Sequence, residues 1–184
     1  MKKFILFAAI LFAGVSVVSA KKDDPKVSGS TSTELSVKLM PIQTITINQN
    51  TVELLYKTEA NYNDGVTLDQ SNHFKVYSTG GFSVGVSSSD DKLKGDKGKD
   101  IDAKTITVEA SSGTNSSDLK LSDFKPVPLS KKGSTLFASD KGGADLHFNV
   151  KYVGGTLKDY FDKLFNGSDA SVFETTVTYS ITPN

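Results

Sequence analysis

The stretch Phe74-Lys75-Val76-Tyr77-Ser78-Thr79-Gly80-Gly81-Phe82-Ser83-Val84-Gly85-Val86 decides the reading of the fold. Phe74 and Val76 alternate with Lys75 and Tyr77, and Phe82, Val84 and Val86 alternate with Ser83 and Gly85. Successive side chains of a strand point to opposite faces, so a period of two makes each run apolar on one face. The Gly80-Gly81 pair between the runs predicts a β-hairpin.

The same period recurs outward in both directions. Leu35, Val37 and Leu39 alternate with polar residues, as do Ile45 and Ile47, and Val52, Leu54 and Tyr56 alternate with Glu53, Leu55 and Lys57. Downstream come Ile106, Val108 and Ala110, then Leu146, Phe148, Val150 and Tyr152, then Phe173, Val177, Tyr179 and Ile181. Thr fills many polar-face positions, as suits a residue both β-branched and hydrophilic. Turn signals separate the runs at Asn63-Asp64-Gly65, Ser112-Gly113, Lys141-Gly142-Gly143 and Gly154-Gly155. Pro126 and Pro128 restrict their neighbourhood to an edge strand or a loop. Nine or ten short strands at this spacing predict an all-β, Ig-like antiparallel β-sandwich over residues 35–184.

One segment has the other period. Leu157, Tyr160, Phe161, Leu164 and Phe165 lie at i, i+3, i+4, i+7 and i+8, with Thr156 as N-cap, Asp159 three residues on and Gly167 past the end. This predicts one short α-helix, its aromatic stripe packed over an open end of the sandwich.

The beginning of the chain reads as an address. Lys2 and Lys3 precede the uncharged stretch 4–18, and Val18-Ser19-Ala20 supplies small residues at −3 and −1 of a cleavage site. That is the three-part pattern of a secretory signal peptide over residues 1–20, cut after Ala20. Fifteen apolar residues span about 22 Å as a helix, short of a hydrocarbon core of roughly 30 Å. No second long apolar run follows, so no membrane span is expected after signal removal, and the product is expected in the periplasm, at the cell surface or outside the cell. Residues 21–34, rich in Ser, Thr, Lys and Asp, read as a flexible leader.

Composition excludes several chemistries. The 184 residues include 21 Lys, no Arg, 21 acidic residues and no Cys. Without Cys there is no disulfide framework, thiolate metal site or Cys nucleophile. Without a basic excess or Arg, nucleic acid is not an expected partner. His73 and His147 sit in no metal-binding or catalytic motif and read as solvated surface residues. Residues 90–104 interleave Asp90, Asp91, Asp96, Asp100 and Asp102 with five Lys. They miss the EF-hand register and read as a solvated loop, with at most an incidental Ca²⁺ site. No catalytic residue, cofactor or metal ligand is assigned, and the chain reads as non-enzymatic.

The Lys2-Lys3 signal, the Thr-rich sandwich pattern, the Phe74–Val86 segment and the ending Thr175-Thr176-Val177-Thr178-Tyr179-Ser180-Ile181 resemble secreted bacterial pilin-like proteins. The nearest kinds are the spore-coat-U-like subunits of archaic chaperone–usher pili and related surface proteins of the Bacteroidetes. Many such pilins carry a Cys pair, and the lipoprotein pilins a lipobox Cys; this chain has neither. The resemblance implies a surface or fibre subunit of a Gram-negative bacterium, with itself or related surface subunits as partners. Physics adds a route: an exposed sheet edge accepts a strand from a neighbour, and Leu35, Val37 and Leu39 behind the leader make a candidate donated strand. Within a single molecule the expected state is that this first strand pairs in its own domain. A monomeric binding module for a glycan or a protein partner is the alternative.

Overall fold

The computed structural model describes residues 29–95, 99–122, 124–163 and 170–184. The signal-peptide residues, Ala20 included, and Leu164, Phe165 and Gly167 of the helix pattern lie outside the described residues. The chain divides between Lys38 and Leu39 into two contact units. Residues 29–38 of the first carry no regular secondary structure and are exposed throughout.

The second unit, Leu39–Asn184, is an all-β antiparallel sandwich, as the alternation predicts. Its strands are β1 (Gln43–Ile47), β2 (Thr67–Ser78), β3 (Phe82–Ser88), β4 (Lys92–Gly95), β5 (Asp100–Asp102) and β6 (Thr107–Ser112). They continue with β7 (Leu121–Ser122), β8 (Val127–Pro128), β9 (Ser134–Ser139), β10 (Gly143–Val153), β11 (Phe173–Glu174) and β12 (Val177–Pro183). One sheet has the order β1-β2-β10-β6-β8, the second β12-β3-β9-β7, and a small third sheet β11-β4-β5. The Pro126/Pro128 region is the edge strand β8, as its prolines require.

The two large sheets share one core. Phe74, Val76, Phe148 and Val150 enter it from the first sheet, and Phe82, Val84, Phe137 and Leu136 from the second. The ring of Phe148 stands 4.6 Å from Phe137, 5.4 Å from Phe74 and 6.5 Å from Phe82. Such centroid separations are those of attractive aromatic pairs.

The expected Phe74–Val86 hairpin does not form. β2 pairs with β1 and β10, β3 pairs with β12 and β9, and residues 79–81 carry the chain from one sheet to the other. Alternation is the same for a hairpin and for such an arch; the difference lies in the turn. A two-residue hairpin turn needs positive φ. Gly80 and Gly81 have none; among the described glycines only Gly65 and Gly133 do. Instead Ser78 turns inward and its hydroxyl donates to Gly80 O at 2.7 Å. A second arch, Ser139 to Gly143, repeats the device, with Ser139 Oγ donating to Lys141 O at 2.8 Å. The arches touch: a Cβ on Gly142 would collide with Ser78 O and Gly80 N, and one on Gly81 would meet Ser139 O at 3.1 Å. These glycines allow close approach of backbone to backbone.

Other expectations are corrected too. Leu35–Leu39 forms no strand and joins no ladder among the described residues. Val52, Leu54 and Tyr56 keep their inner faces half-buried but join no ladder. Within residues 90–104, Asp96 lies outside the described residues, and the described ones form β4 and β5 where a solvated loop is expected. Leu93 on β4 and Ile101 on β5 are buried in the core, and only their charged neighbours face water. The helix α2 (Leu157–Tyr160) continues as a 3₁₀ turn over Phe161–Lys163, and Asp159 Oδ2 accepts from Thr156 N at 3.0 Å. Its stripe is only partly inward: Tyr160 is buried, Leu157 is 38% exposed and Phe161 69%. An additional helix, α1 (Glu59–Asp64), starts at Thr58, whose hydroxyl accepts from Asn61 N while Asn61 Oδ1 accepts from Thr58 N.

Candidate functional site

Edges and apolar exposure come first, because open strand edges and exposed apolar runs are where a sheet can take a partner. Among the four edge strands of the large sheets, β7 and β8 are two residues long, too short to template pairing. β1 and β12 are longer, at five and seven residues, and neither contains a charged residue. Edge strands are ordinarily blunted by charge, most often Lys; in this Lys-rich chain those two are not, although Pro183 ends β12. The two edges lie against each other across the sandwich. Their inward residues are incompletely covered: Ile45, Val177 and Ile181 are half-buried, and Ile47, opposite the wholly buried Phe74, is 38% exposed.

The candidate donor residues stand out by exposure. Leu35 is 86% exposed, Val37 78% and Leu39 86%, and Met40 and Ile42 follow in the same condition. Single exposed apolar residues are normal on a protein surface, whereas a contiguous run points to an interaction.

Between β2, β10 and β12 lies a polar chain that the sequence reading missed. His73 is not a surface residue; it is 1% exposed. Between Phe148↔Phe74 and Val150↔Gln70 the β10–β2 register shifts, leaving Ser71, Asn72 and His73 opposite the single residue Asn149. This bulge centres on Asn72, whose φ of 49° lies in the left-handed region that Asn tolerates. It also buries two consecutive side chains, His73 and Phe74. Asn48 and Gln49, just after β1, satisfy its carbonyls. Asn48 N donates to His73 O at 2.9 Å, Asn48 Nδ2 to Asn72 O at 2.6 Å and Gln49 Nε2 to Ser71 O at 3.3 Å.

Those bonds set the tautomer of His73. With Gln49 Nε2 spent on a carbonyl, its Oε1, 2.9 Å from His73 Nδ1, accepts a hydrogen bond from Nδ1–H. His73 Nε2 is then an acceptor, and Tyr152 OH donates to it at 3.0 Å. Tyr179 OH in turn donates to Tyr152 OH at 2.6 Å. Burial holds the imidazole below its ordinary pKa and the Tyr152 and Tyr179 phenols above theirs, so all three rings are neutral near pH 7.

His147 likewise departs from the solvated reading. Its side chain is 20% exposed, Nε2 lies 3.2 Å from Asp145 Oδ1, and Nδ1 is buried without a partner among the described residues. Two shallow depressions mark the surface. One of about 230 Å³ on the outer face of β2, β10 and β6 holds Lys151, registered opposite both Asp69 and Glu109. The other, about 360 Å³, lies between Asp100, Asp102, Lys92 and the α2 region. There the Lys94 ammonium, hydrogen-bonded at 3.0 Å, holds the Asp100 carboxyl below the usual range. No three metal-binding side chains cluster among the described residues. No helix among the described residues is long and apolar enough to cross a membrane. No family model matches the chain, and no curated protein matches it significantly.

Proposed function

We propose that the chain is an exported, non-enzymatic surface or fibre subunit that associates by strand addition, with Leu35, Val37 and Leu39 as the donated anchors. The observation that carries this reading is the exposure of those three alternating side chains, 86%, 78% and 86%, in a segment that joins no strand among the described residues. An extended segment of this kind gains main-chain hydrogen bonds and buries alternate side chains when it adds to a sheet edge. The uncharged edges β1 and β12, with half-buried Ile45, Val177 and Ile181 behind them, supply an acceptor of matching chemistry on a second subunit.

The test is the oligomeric state of the processed chain, compared with the same chain lacking residues 21–39. The reading expects a ladder of oligomers that disappears on deletion while the circular dichroism stays β-rich. A monomer in both samples at high concentration rejects it.

A further inference from the structure

Tyr152, in the interior of the first sheet, bonds directly to Tyr179 on the edge strand of the second, and His73 accepts from Tyr152 behind that bond. β10 contributes Tyr152 and β12 contributes Tyr179, while Gln49 holds the opposite side of the ring. The rings pack edge-on around it, His73 to Tyr152 at 5.7 Å and His73 to Tyr179 at 5.5 Å. We propose that His73 is a pH-operated latch: neutral, it ties β12 to the sheet interior through Tyr152 and Tyr179, and protonated, it lets that edge strand open ahead of the rest of the sandwich.

The direction of the hydrogen-bond chain is the reason. In the neutral form protons run from Tyr179 OH to Tyr152 OH to His73 Nε2, and His73 Nδ1–H runs to Gln49 Oε1. Protonation turns Nε2 into a donor. Tyr152 then accepts from it, and Tyr152 and Tyr179 hold two phenolic protons with a single bond between them, so whichever of the two donates, one hydroxyl proton is left without an acceptor among the described residues. The groups facing the ring are Tyr152 from β10, Tyr179 from β12 and the uncharged Gln49; no carboxylate among its partners offsets the buried charge. An unsatisfied buried hydroxyl and an unpaired buried cation are both costly.

The strain is relieved most cheaply at the edge. β12 is laddered on one side only, to β3, whereas β2 and β10 each have neighbours on both sides. The Gln49 side keeps its bond, because Nδ1 remains a donor in both forms. The latch therefore releases one strand and spares the other contact of the same ring. It does not depend on whether the chain assembles.

Residue-resolved hydrogen exchange of the full processed chain, corrected for intrinsic chemistry, tests this. Between about pH 7 and pH 5 the amides of Val177–Ile181 are expected to open at least tenfold more often, while β10 amides and Asn48 N–H change less than about twofold. His73→Gln is expected to abolish the response, and His147→Gln to leave it intact. An unchanged response in His73→Gln, or loss of protection in β10 together with β12, overturns the latch. Should His73→Gln fail to fold, an NMR titration of the unsubstituted chain decides. The His73 ring nitrogens and the β12 amides must then share one midpoint, and midpoints separated by more than half a pH unit reject it.

Discussion

Replacing Phe148 by Ala tests whether the two large sheets share a single interior. Phe148 is wholly buried on β10, and its ring meets Phe137 from the facing sheet at 4.6 Å and Phe74 from its own at 5.4 Å. Truncating a buried Phe costs about 3–5 kcal/mol, the transfer term plus the cavity left behind. Rings on three sides cannot collapse into the gap without leaving their own positions, so the upper half of that range, about 4 kcal/mol, is expected. With a urea m-value of about 2 kcal/mol/M for a domain of this size, the unfolding midpoint falls by about 2 M. Phe137→Ala should cost a similar amount, and the double variant should be non-additive by about 0.5–1.5 kcal/mol, because the two rings touch across the sheets. Phe161→Ala, at a residue 69% exposed, is the control and should stay within about 0.5 kcal/mol. A Phe148→Ala midpoint shift under about 0.5 M, or strict additivity with Phe137→Ala, would refute the shared interior.

Three other outcomes are expected. Gly142→Ala drives a Cβ into Ser78 O and Gly80 N where the arches touch, and should cost about 2–3 kcal/mol in chemical denaturation, while Gly80→Ala, with open space around it, should be nearly neutral. Changing Leu35, Val37 and Leu39 together to Ser should leave the unfolding midpoint of the monomer within error, since all three are exposed, yet abolish oligomers in size-exclusion chromatography. Global stability should fall at both ends of the pH scale. Below pH 6.5 an unfolded His binds a proton that folded His73 resists, so the unfolded state holds more protons and stability drops as pH falls, by at most about 1.4 kcal/mol per unit. Above pH 10 the unfolded chain releases phenolic protons that Tyr56, Tyr152 and Tyr179 retain, so stability drops again; urea midpoints across pH 5–11 check both limbs.

The strands legible in the sequence are those whose alternation is unbroken. β3 and β12 show every inward residue at spacing two, and β10 does so from Leu146 to Tyr152. β9 was illegible because Leu136 and Phe137 are both buried. The register jumps from Val84↔Phe137 to Gly85↔Thr135, so a bulge at Leu136 cancels the period. β4 and β5 each offer a single apolar residue, Leu93 and Ile101, between charges, too little signal to tell from a loop. The helix α1 has no fully buried residue and packs only the half-buried Tyr62 against the core, so no apolar stripe announces it; its origin is the local cap at Thr58, with Asn61 where a Glu or Gln is usual. His73 was hidden for a tertiary reason. The bulge that turns it inward closes against the 113–114 turn, where Asn72 Oδ1 accepts from Thr114 N at 3.0 Å and a Cβ on Gly113 would stand 2.5 Å from the same oxygen. Nothing local to Asn72-His73 encodes that neighbour.

Alternation reports which face of an extended segment is apolar, and ladder partners are a separate fact. Three segments of this chain share the period and differ in what the fold does with them. Phe82–Val86 is laddered on both sides and wholly covered. Val52–Tyr56 is unladdered, and its inner face is half-covered because Tyr56 OH is fixed to Gly155 O at 2.7 Å. Leu35–Leu39 is neither laddered nor covered. Burying its three anchors is worth about 1.5–3 kcal/mol each. Ordering five residues costs about 1–2 kcal/mol apiece, which offsets the whole of that gain. The balance is therefore near zero from side chains alone, and the main-chain bonds of an open edge, about 0.5–1.5 kcal/mol each, decide it. Inside one molecule the inner strands of both large sheets are already paired on both sides, which leaves β1 and β12 as the longer edges with hydrogen-bonding capacity to offer. The absence of charge on those two strands thus bears on the arm as much as on the sandwich: an edge protected by Lys would leave the arm no partner whose bonds could tip so even a balance.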